Sequence, residues 1–105
     1  AELNFKSVKL ISENLLEYVE QGCVSGGTNR NWDSYGKKVN FENKETAENY
    51  KKILADPQTS GGLLISVSSK GIDEVLTIFK KFGLENHLEP IGKMEKNKSY
   101  SISVF

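Results

Sequence analysis

Residues 55–67, ADPQTSGGLLISV, set a helix stop, a polar turn and an apolar run back to back. Pro57 disfavours helical geometry in the residue before it, so any helix arriving here ends at Ala55 or Asp56. The turn DPQTSGG then reverses the chain. The run at 63–67 has strand length and few polar atoms, which predicts a strand buried on both faces. A helix feeding a buried strand requires a sheet with at least one covered face, and 105 residues supply one core to build it around.

The segment after that run predicts a helix over 72–82. Val75, Ile78, Phe79 and Phe82 recur at helical spacing, Asp73 and Glu74 sit at the positive end of the dipole, and Gly83 marks the stop. Before the turn, Ala47, Tyr50, Ile53 and Leu54 share one face of a helix over 45–54. A further helix is expected over 13–21, with Ser12 as its cap, Ile11 and Leu16 as a hydrophobic staple, and Gly22 as its left-handed end. Between them, CVSGGTNRNWDSYG (residues 23–36) reads as a flexible entry into a short helix, in which Trp32 and Tyr35 are core residues.

Strands are expected at both ends of the chain. Leu3, Phe5 and Val8 suggest a short one. Residues 91–95 read as extended, Lys96-Asn97-Lys98 as a turn, and the C-terminus as a strand with Tyr100, Ile102 and Val104 on one face. The expected order is strand, three helices, strand, helix and hairpin: an α+β domain, a mixed β-sheet with helices packed on one face.

Charge and composition exclude several functions. Fourteen basic residues balance fourteen acidic ones, which removes the electrostatic case for nucleic acid or an acidic membrane as partner. No apolar run approaches the roughly 20 residues that span a bilayer. The single Cys23 cannot form an internal disulfide, so a reducing, cytoplasmic location is expected. Hydrophobic residues make up 37% of the chain, a thin supply for a core, and the opening Ala1 suggests a piece of something longer.

Two glycine segments are the candidates for chemistry. In Gly26-Gly27-Thr28-Asn29-Arg30, a helix beginning just after Thr28 would turn its free amides and positive dipole end outward across two residues without side chains. Arg30 would add a guanidinium clamp for an anion. The structural alternative is that Thr28 is an N-cap and the glycines permit a turn. In Asp56-Pro57-Gln58-Thr59-Ser60-Gly61-Gly62, the order is helix, loop, strand, the reverse of a phosphate-binding P-loop, and no Lys completes that signature. The amides of Thr59, Ser60, Gly61 and Gly62 form either a shallow anion nest or an ordinary turn held by Asp56 and Ser60 side chains.

The remaining candidates carry less. His87 has no second His or Cys at metal-ligand spacing and reads as a surface residue. Cys23 has no base near it in sequence. Acidic residues pair with Lys on helix faces, as Glu48 does with Lys52, so no metal ligand is assigned. With no nucleophile–base pair, no catalytic residue is assigned and the chain is not a complete catalyst.

VSGGTNRNWDSYG (residues 24–36) followed by ADPQTSGGLLISV (55–67) resembles the C-terminal domain of the selenophosphate synthetases, or selenide, water dikinases, of the aminoimidazole-ribonucleotide-synthetase-like superfamily. The resemblance extends through Gly92 and the strand-forming C-terminus, over essentially all of the chain. It implies a C-terminal fragment of a two-domain enzyme that makes selenophosphate, AMP and phosphate from ATP, selenide and water with Mg2+. That enzyme would be a cytoplasmic homodimer.

The same resemblance locates ATP and Mg2+ mainly on an N-terminal domain, together with the reactive Cys or selenocysteine, its Lys and the metal-binding aspartates. None of these has a counterpart here, and Cys23 does not match the reactive position. The family's DVTGFG-type segment is also missing. The isolated chain is therefore expected to be inactive, to bind ATP weakly, and to expose an apolar surface. Gly26, Gly27, Thr28 and Arg30, with Asp56, Gln58, Thr59, Ser60, Gly61 and Gly62, become candidates for holding or closing over phosphate groups. Two alternatives remain open: another ATP-dependent enzyme of the superfamily, and a stand-alone interaction domain.

Overall fold

The computed structural model describes residues 1–96 and 98–105. Its elements run β1 (Glu2–Leu3), α1 (Leu15–Glu20), α2 (Gly26–Tyr35), β2 (Val39–Phe41), α3 (Ala47–Leu54), α4 (Ile72–Lys81), β3 (Gly92–Lys93) and β4 (Ile102–Val104). The four strands form one mixed sheet in the order β2-β4-β1-β3. Strand β4 lies parallel to both β1 and β2, and β3 lies antiparallel to β1. The fold is α+β, a mixed sheet with helices packed against it.

Five side chains make the core: Phe5, Val19, Phe41, Ile53 and Val104. Val104 is 1% exposed because β4 occupies the middle of the sheet, with Phe41 and Leu3 as its register partners on either side. Val19 comes from α1 and Ile53 from α3, the two helices that pack on each other. Phe5 stacks on Tyr50 of α3 with ring centroids 3.6 Å apart, which fixes that helix over the start of the sheet. Trp32 of α2 meets Phe41 at 5.7 Å and carries the second helix onto the same core.

Several expectations are corrected. The run at 63–67 is neither a strand nor buried: Leu63 is 90% exposed and Leu64 83%. A strand needs ladder partners, and all four strands of the sheet pair with one another and not with this run. The C-terminal hairpin is also absent. Strands β3 and β4 flank β1 on opposite edges, because β4 inserts between β1 and β2. Strand β2 went unforeseen, although Val39 and Phe41 alternate around Asn40 as a short strand should.

Helix boundaries were largely legible. Gly22 and Gly83 both take left-handed conformations, at φ 87° and 73°, at the ends of α1 and α4. The Ile11 staple does not form, since Ile11 is 96% exposed. Ser12 instead accepts from the Asn14 amide in the turn before α1. Glu48 pairs with Lys51, one residue earlier than expected, at 2.7 Å. Tyr35 is exposed and is not a core residue, and Ile102 and Tyr100 are more than a third exposed, so only the Val104 end of the last strand's stripe is buried. The expected turn at 96–98 includes Asn97, which lies outside the described residues.

Candidate functional site

Helix α2 is organised by three successive pairs, each one turn apart and so on a shared face. Thr28 and Trp32 point to the core: Thr28 is fully buried and Trp32 lies on Phe41. Gly27 and Asn31 face the chain that leaves α3. A β-carbon at Gly27 would stand 2.6 Å from the Pro57 Cγ, so only glycine permits the approach. One turn further on, the Asn31 side-chain amide donates to the Ala55 carbonyl at 2.9 Å. Gly26 and Arg30 form the third pair, both exposed, and nothing lies within 4 Å of a β-carbon built on Gly26.

The two glycine segments are therefore one structural unit. Residues 26–31 and 55–57 are joined by a close van der Waals contact and a hydrogen bond. Asp56, Pro57, Gln58, Thr59, Ser60, Gly61 and Gly62 are all exposed. Inside that turn, Gln58 lies against Gly61, where a β-carbon would meet the Gln58 Oε1 at 2.7 Å. Gly26 and Arg30 on α2, and Thr59 and Ser60 in the turn, are the exposed groups of this unit.

The start of α2 differs from the sequence expectation. Ser25, not Thr28, is the cap: its hydroxyl accepts from the Gly27 amide at 3.2 Å, and its carbonyl accepts from the Thr28 amide at 3.1 Å. Both glycines therefore lie inside the first turn. With those two amides already engaged, an anion at this helix start would depend on Arg30 and the Gly26 edge more than on the dipole. Thr28, buried and without a hydrogen-bond partner for its Oγ1 among the described residues, does not line that surface.

Other groups stand apart from this unit. An open cleft of about 800 Å3 is lined by Lys9, Leu10 and Ile11 and by residues 85–89, with His87 among them, and none of the candidate residues borders it. Cys23 is an exposed free thiol before α2. Among the described residues, no three His, Cys, Asp or Glu side chains gather as metal ligands, so the residues present do not fit a magnesium site of their own. No helix among them is long and apolar enough to cross a membrane.

No family model matches the chain. Curated proteins do. The chain is 39% identical over 104 residues to the selenide, water dikinase of Pseudomonas putida, covering 99% of this chain and 28% of that protein. It is 45% identical over 87 residues to the selenide, water dikinase of Pseudomonas aeruginosa, covering 83% of this chain and 24% of that protein. The selenide, water dikinase of Aeromonas hydrophila is 44% identical over 95 residues, 90% of this chain and 26% of its own length. The chain thus spans about a quarter of the length of the curated relatives it matches.

Proposed function

Since this chain belongs to the selenide, water dikinase family over nearly its whole length, we propose that it is the C-terminal part of a cytoplasmic enzyme that converts ATP, selenide and water into selenophosphate, AMP and phosphate. The observation that supports a role for this part is the union of α2 with the 55–57 segment. Gly27 against Pro57 and Asn31 on the Ala55 carbonyl tie the helix that carries the exposed Arg30 to the chain entering the exposed 56–62 turn. Phosphoryl transfer depends on positioning and on neutralising charge more than on covalent help from the protein. A guanidinium and a set of backbone and hydroxyl donors, presented from a second domain, would serve that need without a nucleophile.

Family membership supports a division of labour. Magnesium and most of the ATP contacts would be supplied by an N-terminal domain of the same polypeptide; among the described residues here, no three His, Cys, Asp or Glu side chains gather as metal ligands. When bound, magnesium would neutralise phosphate charge during the transfer. Arg30, Gly26, Gln58, Thr59, Ser60, Gly61 and Gly62 would close over the phosphates from the other side, with Asp56 at the root of the turn. Thr28 and Gly27 would position these groups from behind. The enzyme would act as a homodimer, and the 105 residues alone would be inactive.

Phosphorus NMR on the full-length polypeptide, supplied with magnesium, ATP and selenide under anaerobic conditions, tests the reaction. A selenophosphate resonance appearing with AMP and phosphate is the expected result. ADP without selenophosphate would point to another ATP-dependent member of the superfamily. A folded protein that consumes no ATP would point to an interaction domain.

A further inference from the structure

Residues 57–69 hold no charged side chain, and after Pro57 no proline. Within them Leu63, Leu64, Ile65 and Val67 are 90%, 83%, 50% and 37% exposed. Exposed strand-forming segments are normally blunted by lysine, proline or a bulge, because a bare apolar edge invites pairing. This one has no such protection. In an extended chain, Leu63, Ile65 and Val67 fall on one face and Leu64 on the other, the pattern of a strand covered on both sides. The helix that follows shares the condition. No residue of α4 is buried, Ile78 is 46% and Phe82 70% exposed, and its main neighbours are the short turns that flank it.

We infer that residues 63–67 are a sheet strand whose ladder partner is an extended segment of the same polypeptide outside these 105 residues. The relatives supply the length: the matched region is 28% and 24% of the Pseudomonas proteins, so most of each of those proteins lies outside it. A second copy of this chain, pairing through the same edge, would provide one neighbour and leave the α4 stripe open. A strand with apolar residues on both faces needs more cover than that. The inference rests on family membership and not on the reaction. Its consequence reaches the candidate site, because the contacts that anchor the turn at 56–62 lie at its start, where Pro57 meets Gly27, Ala55 meets Asn31 and the Asp56 amide donates to the Ile53 carbonyl. Pairing at 63–67 would fix its other end.

Hydrogen exchange on the full-length polypeptide reads this directly, with a photo-crosslinking residue placed at Leu64 in a parallel sample. The expected result is protection of the 63–67 amides by at least about 100-fold over an unstructured peptide, unchanged on dilution, with an intrachain crosslink to a residue outside these 105 residues. Exchange at the unstructured rate would overturn the inference. So would protection that disappears on dilution together with crosslinks only between copies, which would mark a self-association surface. A protected strand in a protein that makes no selenophosphate would uphold the inference and count against the dikinase reaction alone.

Discussion

Gly27 and Pro57 lie so close that a β-carbon on Gly27 would stand 2.6 Å from the proline Cγ, and this contact makes one unit of two glycine segments that are far apart in sequence. Substitution should separate the two neighbouring glycines. Gly27→Ala forces Pro57 away, and overpacking of this kind costs about 1–3 kcal/mol. Gly26→Ala meets open space at a helical position, and should be neutral or add about 0.4–1 kcal/mol. Urea midpoints of the two variants check this, and equal losses would contradict the contact.

The Thr28 hydroxyl is buried without a partner, so its removal should not destabilise the chain. Thr28→Val keeps the shape and removes the unsatisfied polar group, and is expected to leave the melting temperature unchanged or raise it. Thr28→Ser removes a buried methyl and should lower it, by about 1 kcal/mol in stability. The reverse order would mean that the hydroxyl is bonded.

How deep each apolar residue lies decides a third comparison. Val104→Ala opens space in the middle of the sheet, where the side chain is 1% exposed, and should cost about 2 kcal/mol or more. Leu63→Ala in the 105-residue chain removes a side chain that is 90% exposed, and should change stability by less than about 0.5 kcal/mol. Thermal unfolding of the pair checks it. A large loss from Leu63→Ala would place that residue in a core.

Glu2 sits between two lysines, 2.9 Å from the Lys98 Nζ and 3.1 Å from the Lys93 Nζ. The hydrogen bond from Lys98, then that from Lys93, hold its carboxyl below the ordinary value of 4.5. A carboxyl with a depressed folded pKa adds stability that is present above its unfolded value and lost as pH falls through the folded one. The contribution should therefore fade below about pH 4.5 and shrink in salt, since both lysine partners are exposed. Glu2→Gln should flatten that part of the acid-unfolding curve. An unchanged curve would show that the triad contributes nothing to folding.

Local signals in the sequence carried the helices and the family resemblance. Gly22 and Gly83 stop α1 and α4 because only a residue without Cβ accepts their φ at no cost, and Pro57 limits α3 by sterics alone. The meeting of residues 26–31 with 55–57 was not legible, because it depends on α3 delivering Pro57 to the side of α2, a long-range arrangement that no local pattern encodes. The cap was not legible for a related reason: Ser25 and Thr28 are both good cap residues, and the burial of Thr28 inside the helix leaves Ser25 to serve. The run at 63–67 was read as a strand from its own composition, yet strand formation belongs to the pair and not to the segment. Strand β2 is the converse: three residues too short to signal, made a strand by β4 beside them.

Arg30 offers the most direct measurement, because it is exposed and its loss should leave the fold intact. Turnover and melting temperature of Arg30→Ala and Arg30→Lys in the full-length enzyme, with ATP and selenide, would be compared with the unaltered protein. The account predicts at least about a 10-fold loss of turnover for Arg30→Ala, partial recovery in Arg30→Lys, and melting temperatures within a degree or two of each other. Full turnover in Arg30→Ala would contradict it and return Arg30 to a purely structural role.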